Sequence, residues 1–172
     1  DVGTPDTTCP VLGLLKTTSD PLNNITTYAY YGSTTSTYHK GDLMKVTNAL
    51  GQFTTTLSYD GAGRPLSMLD ANGVETDMTY TPRGWLKSRA VRNTNNSTTG
   101  QRVTSIGYDN VGQVTKVTQP DGSYLGFKYD TAHRLTDIND NLVNNVSDTI
   151  HFTLDNAGNR LVDDTSDSTN TV

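Results

Sequence analysis

This sequence has few of the residues that stabilise many small proteins or that direct proteins to a compartment. Of its 172 residues, 33% are hydrophobic and 18% are charged, and there is a single cysteine and a single tryptophan. The lone Cys9 cannot form an internal disulfide, so cysteine usage does not identify the compartment. No stretch approaches the roughly 18 apolar residues of a membrane-spanning helix, so we predict no membrane span. The net charge of −5 argues against nucleic acid as the main partner.

Small polar residues take the place of the missing hydrophobic and charged ones. The chain has 30 Thr, 15 Asn and 15 Gly, beside 9 Tyr. Thr and Tyr favour strands, whereas Asn, Asp and Gly favour turns. No long window shows the periodicity of an amphipathic helix, and Gly or Pro interrupts most of them. The composition therefore predicts many short strands with frequent reversals, and nothing in it calls for a cofactor.

A short motif recurs along the chain: Tyr-Asp, followed by Gly three residues after the Asp. Its glycine positions are 21 to 28 residues apart, which indicates a base unit of 21 or 22 residues with insertions in three copies. The Asp side chain can accept hydrogen bonds from its own turn, and Gly accepts the left-handed conformation that ends it. The residues predicted to form these first turns are Tyr59, Asp60, Gly63, Gly84, Tyr108, Asp109, Gly112, Tyr129, Asp130, Asp155 and Gly158.

A second turn follows each first turn after one short strand. Examples are Asp70-Ala71-Asn72-Gly73 and Pro120-Asp121-Gly122. Asn-Gly and Asp-Gly are typical of type I′ hairpin turns, in which both central residues have positive φ. We therefore predict type I′ turns with Gly73 and Gly122 as structural residues. One repeat is then two short strands and two turns.

The strand before each Tyr position alternates with period two. The residue two places before that position is apolar in six copies, and the next residue is small or polar, which predicts one buried face. In the strand after the first turn, apolar residues such as Leu43 and Val46 are three apart. We predict a bulge there, or burial on both faces. The six apolar residues are Tyr28, Leu57, Met78, Ile106, Phe127 and Phe152.

These motifs resemble the YD repeat, or Rhs repeat, of bacterial Rhs and wall-associated toxins, insecticidal toxin-complex subunits and teneurins. The resemblance covers about seven units at 11–162, between an N-terminal extension at 1–10 and a flexible acidic tail at 163–172. It implies an all-β fold, in which antiparallel β-hairpin repeats form a twisted, spiralling sheet that is part of a hollow β-shell. The copies are degenerate, because His133 replaces Gly, Leu154 replaces Tyr and Thr81 replaces Asp.

The resemblance also implies a role. In bacteria such shells commonly enclose a C-terminal toxin domain, so we expect a non-enzymatic structural segment of a secreted or cell-surface bacterial protein. Seven units are few for closing a shell, so the sheet should have two unpaired edges, which pair readily with other strands. The expected partners are flanking repeats of a longer chain, or self-association through the sheet edges, together with a toxin cargo.

Catalytic and metal-binding interpretations are weaker than the turn interpretation. A single active site would not be copied at every turn, so the recurring Asp residues indicate turns rather than an enzyme. His39, His133 and His151 have no metal-type spacing. The segment 137–141 with Asp148 imitates part of an EF-hand calcium loop, but Leu142 stands where that loop needs Gly. We interpret this segment as the second turn of a repeat, with calcium as the alternative.

One surface feature suggests an alternative function. Trp85 occupies a motif position that is polar in the other copies, which indicates an outward face. An exposed Trp beside cations can bind a sugar ring or an acidic partner, as in a carbohydrate or cell-surface binding module. The favoured interpretation is that Trp85 covers a neighbouring strand. The predicted positive cluster consists of Arg83, Trp85, Lys87, Arg89 and Arg92.

Overall fold

A computed structural model describes residues 13–93, 97–141 and 148–166, the last five of them as backbone only. These residues form thirteen β-strands, and none of them lies in a helix, so no helix among them could cross a membrane. The predicted all-β fold is confirmed. The strands are β1 Thr17–Ser19, β2 Ile25–Tyr30, β3 Leu43–Thr47, β4 Phe53–Tyr59, β5 Pro65–Leu69, β6 Glu75–Tyr80, β7 Leu86–Val91, β8 Arg102–Tyr108, β9 Val114–Thr118, β10 Tyr124–Tyr129, β11 Leu135–Asp140, β12 Thr149–Leu154 and β13 Arg160–Ser166.

The thirteen strands form one open antiparallel sheet whose spatial order is the order of the chain, from β1 to β13. Within each unit, consecutive strands therefore pair antiparallel, as the predicted hairpin repeats require. The sheet is twisted in the way that all such sheets are. Within the described residues its two edges are β1, with three residues, and β13, with seven.

The chain divides into two compact units. The first unit consists of Asp1–Thr79 with Ala90–Gln101, and the second unit consists of Tyr80–Arg89 with Arg102–Val172. Each unit contains both kinds of turn, so the repeat can be followed separately in each.

The strand after the first turn carries a bulge at the same place in successive repeats. In the first unit Ala29 pairs with Lys45 while Tyr30 pairs with Leu43, so Met44 is an extra residue in β3. The same shift makes Thr115 and Thr136 the extra residues of β9 and β11 in the second unit. A bulge turns apolar residues three apart toward one face of the sheet, which confirms the first of the two explanations offered for that spacing.

The apolar face is half-buried rather than buried. In the second unit Ile106 pairs with Val117, which pairs with Leu125, and Phe127 pairs with Ile138. These side chains share one face because facing residues of paired strands point the same way. No large side chain among the described residues is fully buried. The expectation of one buried face is thus corrected to one apolar, half-exposed face.

The predicted boundaries of the repeat array, at 11 and 162, stay predictions. The extension at 1–10 lies outside the described residues, as does 167–172 of the predicted tail. β13 continues to Ser166, beyond the predicted start of the tail at 163, because its pairing with β12 extends to Ser166 opposite Thr149.

Candidate functional site

The first turns are five-residue segments, whose residues we number one to five and whose three central residues form the loop. In the turn 60–64, the N–H of Asp60 donates to the carbonyl of Arg64 at 2.9 Å, and the N–H of Gly63 donates to the carbonyl of Asp60 at 3.0 Å. The glycine at position four has φ of +76°, in the left-handed region. The same two bonds recur in the turns 81–85, 130–134 and 155–159.

The second turns have the same geometry, so the prediction of type I′ turns is wrong. Asp70 donates to Val74 and Gly73 donates to Asp70, both at 3.0 Å. Asn23 and His133 are the non-glycine residues with positive φ in the described chain, so Asn72 has a negative φ. A three-residue loop built from a type I turn needs only one left-handed residue, its last. Glycine at position four supplies it, with φ of +77° at Gly73 and +89° at Gly122.

The side chain at position one accepts hydrogen bonds from the rest of its turn. Asp109 Oδ1 accepts the N–H groups of Val111, Gly112 and Gln113 at 2.8–2.9 Å. Thr81, which replaces the usual Asp, still accepts the N–H of Trp85 through Oγ1 at 3.1 Å. Each side chain thus satisfies backbone donors that the turn would otherwise leave unpaired.

These hydrogen bonds keep the turn carboxylates ionised. The side-chain bond from Arg64, with help from backbone N–H groups, lowers the pKa of Asp60 below its ordinary value. At Asp130 the N–H and then the side chain of Arg134 lower the pKa in the same way. Partial desolvation raises the pKa of Asp109, but its three backbone N–H donors and the neighbouring His133 outweigh that effect and lower the pKa overall. Such carboxylates act as acceptors within their own turns and carry no proton to donate near neutral pH.

The tyrosine of the motif has a function that the sequence interpretation missed. Its hydroxyl donates to the backbone carbonyl of the residue two places after the preceding first-turn glycine, earlier in the chain. The available signal was the interval from the preceding Gly to the Tyr, which is 17 or 18 residues in three of these copies and 24 in the copy that contains the insertion. Leu154 lacks a hydroxyl and cannot make this bond. The four bonds are Tyr30 to Leu15 at 2.8 Å, Tyr59 to Leu43 at 2.6 Å, Tyr108 to Leu86 at 2.8 Å and Tyr129 to Val114 at 2.8 Å.

Trp85 covers the next first turn of the second unit. Its ring is 5.2 Å from the ring of Tyr108 and tilted by 43°. A Cβ atom added to Gly112 would be only 2.7 Å from Trp85 Cζ2. The indole therefore lies against the backbone of Gly112, in agreement with the favoured interpretation that Trp85 covers a neighbouring strand segment.

The following first turns of the second unit contact each other through different chemistry. Gln113 Nε2 donates to the carbonyl of His133 at 2.8 Å, and Gln113 Oε1 lies 2.9 Å from His133 Nδ1. His133 holds the glycine position with φ of +63°. Arg134 Nη1 donates to the carbonyl of Asp155 at 2.6 Å, one turn further on. The position-five side chain thus reaches the next turn in each case.

One of the five residues of the predicted positive cluster is paired with carboxylates of its own unit. Arg92 belongs to the first unit, where its guanidinium binds Asp77 at 2.7 and 2.8 Å and Glu75 at 2.9 Å. The bond to Asp77 and the two negative charges raise the pKa of Arg92 above its ordinary value. Bidentate pairing with Asp77 and a further bond to Glu75 neutralise this cation, which residue spacing alone did not reveal.

The other four members belong to the second unit. Lys87 and Arg89 are exposed and alternate with Ser88 on β7. The Arg83 guanidinium lies 5.4 Å from the ring of Trp85 and donates to the carbonyl of Asn110. Arg83 is therefore engaged with the next turn as well.

The described residues contain no group of three or more His, Cys, Asp or Glu side chains placed to hold a metal ion. Asp137 Oδ1 lies 3.0 Å from His151 Nδ1, and the N–H of Asp148 donates to Asp140 Oδ1 at 3.0 Å. Residues 142–147 of the candidate calcium loop, like Cys9, lie outside the described residues. The interpretation of this loop as a repeat turn stays a prediction.

The structures of toxin-complex proteins resemble this fold. The chain matches the crystal structure of TcdB2-TccC3-Cdc42 with a TM-score of 0.66 at 19% identity, over 93% of this chain and 9% of that chain. For the Photorhabdus luminescens Tc holotoxin pore the TM-score is 0.68 at 19% identity, over 91% and 9%. For TcdB2-TccC3 it is 0.66 at 18%, over 92% and 9%. The chain thus spans about a tenth of the length of these structures, and the likeness concerns the fold.

Sequence comparison identifies the family directly. The profile described as RHS Repeat matches residues 38–75, 59–98 and 108–142, which together make up more than half of the chain. No curated protein sequence matches this chain significantly. The matched segments contain the Tyr-Asp-x-x-Gly turns at 59–63 and 108–112 together with their hairpin strands. The chain therefore belongs to the RHS repeat family.

Proposed function

We propose that this chain is a non-enzymatic structural segment of a secreted or cell-surface bacterial Rhs-repeat protein, whose hairpins build part of a β-sheet shell that encloses or presents a toxin or other cargo. The observation that carries the proposal is the uniform hairpin. Within each unit, one turn geometry and one bulge position recur, and each hairpin pairs with the next in chain order. Such an array can be extended by adding repeats, because each repeat contacts only its neighbours.

The thin sheet supports the same proposal. The buried side chains among the described residues are small, namely Ala90, Thr56, Ser67 and Ser123, and the apolar face of the sheet is only partly buried. A face of this kind favours a further partner, since exposed apolar surface in a soluble protein commonly marks an interaction. Flanking repeats of a longer chain and an enclosed cargo are the partners that we propose.

The state of the carboxylates favours a structural over a catalytic role. Asp60, Asp109 and Asp130 each accept hydrogen bonds from their own turn, and their pKa values are lowered. A glycosidase would need two carboxyl groups that face each other across a bond, one of them with a raised pKa. We propose that these carboxylates stabilise turns.

The parent protein, purified with its flanking sequence, tests the proposal. Electron microscopy should show a hollow particle, and limited proteolysis should leave an enclosed segment intact until the particle is opened by denaturant. The same segment, expressed alone, is the control and should be digested at once. A compact particle without a cavity, or equal digestion of the enclosed and free segments, would contradict the shell.

Carbohydrate binding is the second candidate, and the arrangement of Trp85 does not favour it. Both the Tyr108 ring and the Gly112 backbone lie against the indole, which leaves less of its surface for a sugar. Glycan binding by this chain and by Trp85→Ala decides the matter. We expect no specific binding by either protein. Saturable binding that is lost in Trp85→Ala and kept in the matched surface variant Lys87→Ala would establish the binding module instead.

A further inference from the structure

Successive first turns of the second unit contact one another through the same two positions. The side chain at position five of one turn lies against the residue at position four of the next. The three successive contacts join Trp85 to Gly112, Gln113 to His133, and Arg134 to the turn that contains Gly158. The position is constant while the chemistry changes from an aromatic ring to an amide to a guanidinium.

The first contact leaves room for glycine alone. Gly112 has φ of +98°, and an added Cβ would lie 2.7 Å from Trp85 Cζ2, 3.1 Å from Cε2 and 3.3 Å from Cη2. Real Cβ atoms do not approach carbon atoms at the shortest of these distances, so the indole would have to move. Its ring is rigid and is held by Tyr108 on one side and by Arg83 nearby, so moving it disrupts further contacts.

The second contact admits a side chain that the first would reject. Gln113 presents both ends of its amide, and His133 uses both, through its backbone carbonyl and its Nδ1. These bonds hold a non-glycine residue at φ of +63°, where a side chain is disfavoured. The third contact is an ordinary one, because a Cβ on Gly158 would be 3.9 Å from Arg134 Cδ.

We propose that position five of each first turn is a specificity key that determines which residue the next repeat can carry at position four, so that neighbouring hairpins of the second unit recognise each other as matched pairs. Trp85 requires glycine, whereas Gln113 accepts histidine. The repeats are then not interchangeable, although their backbones are alike. This inference concerns the surface that one hairpin presents to the next and does not depend on the shell.

An alanine comparison tests the first pair. Gly112→Ala is compared with Gly122→Ala, which has a similar φ of +89° but nothing within 4 Å of the added Cβ. The two variants share the backbone cost, so the difference reports the contact with Trp85. We expect the unfolding equilibrium constant to rise at least tenfold more in Gly112→Ala. Equal changes in the two variants would overturn the proposal.

Trp85 is the single tryptophan of the chain, so its fluorescence reports the same contact directly. The emission should shift to longer wavelength and become more accessible to iodide in Gly112→Ala, while Gly122→Ala leaves both unchanged. An unchanged spectrum in Gly112→Ala would contradict the proposed contact even if the protein were destabilised, because a general loss of stability does not displace the indole in the folded state.

Moving the residue pair of one contact to another contact tests the rule itself. Gly112→His should be strongly destabilised, and adding Trp85→Gln should restore stability by at least tenfold in the unfolding equilibrium constant, since this transplants the pair found at 113 and 133. As the control, Gly122→His should respond equally with or without Trp85→Gln. Additive effects of the two substitutions at 85 and 112 would overturn the proposal. Where Gly112→His does not fold, recovery of cooperative unfolding in the double variant supports the rule, and failure to recover opposes it.

Discussion

At the described first turns, a tyrosine hydroxyl and a bulge flank the five-residue turn, whereas the second turns within the described residues lack that recurring pair of features and repeat only the turn itself. The difference is visible at the glycines. Gly73 and Gly122 of the second turns have open space where a side chain would point, while Gly112 of a first turn meets Trp85. Local sequence is therefore sufficient to form both kinds of turn, but the neighbouring repeat decides how much change each one tolerates. First turns are not uniform, since the space beside Gly63 is also open.

The largest expected effect separates these glycines. Gly112→Val should lower the free energy of unfolding by about 3–4 kcal/mol, because backbone strain adds to a clash with the indole. Gly63→Val and Gly122→Val should cost only the strain, about 1–3 kcal/mol. Urea unfolding of the three variants measures these differences. Equal losses at 112 and 63 would mean that the indole yields without cost.

The next effect concerns the tyrosine hydroxyl. Tyr59→Phe and Tyr129→Phe should each cost about 1–2 kcal/mol, because a part-buried carbonyl loses its donor. The matched control is Tyr28→Phe, whose hydroxyl lies 3.5 Å from Thr18 Oγ1 at an exposed position and should matter little. Thermal or urea unfolding would contradict this expectation if all three variants behaved alike.

His133 sharpens the comparison because it holds a first-turn glycine position. His133→Ala keeps the disfavoured backbone and loses the bond to Gln113 Oε1, so we expect a loss of about 1 kcal/mol. His133→Gly loses the same bond but relieves a strain of about 1–2 kcal/mol, so it should be at least as stable as the parent protein. A glycine variant less stable than the alanine variant would show that the backbone at 133 is unstrained. Unfolding midpoints in urea settle the order.

The smallest effects belong to the turn carboxylates and depend on pH. The pKa of Asp60 is lowered in the folded state by Arg64, and that of Asp121 by Ser123, so each contributes stability that is present above the unfolded pKa of about 3.9. That contribution disappears as the pH falls through the lowered folded value. Asp60→Asn and Asp121→Asn should each flatten the decline of stability below about pH 4, the first more because a salt bridge is also lost. Unfolding midpoints between pH 7 and pH 2.5 test this, and profiles parallel to that of the parent protein would exclude it.

Much of the repeat was predictable because its causes are local. The Asp and Gly of each turn interact within five residues, and the alternation before Tyr59 or Tyr108 reflects the pleat of a single strand. The bulge at Met44 was also predictable, since Leu43 and Val46 are three apart and cannot otherwise share a face. The second turns were predicted with the wrong geometry, because Asn72-Gly73 fits both a two-residue and a three-residue loop. The alternation does not reveal which loop length the strand register selects.

The sequence by itself determined that this chain is a series of antiparallel hairpins with Asp-capped, Gly-ended turns, because those features depend on backbone conformation and hydrogen bonds within a few residues. Only the tertiary structure decided that the Tyr59 hydroxyl binds the Leu43 carbonyl, that Arg92 is neutralised by Asp77 and Glu75, and that Trp85 lies on Gly112. Those contacts join residues about 15 to 27 positions apart. Their partners are set by strand register and bulges, which local composition does not specify.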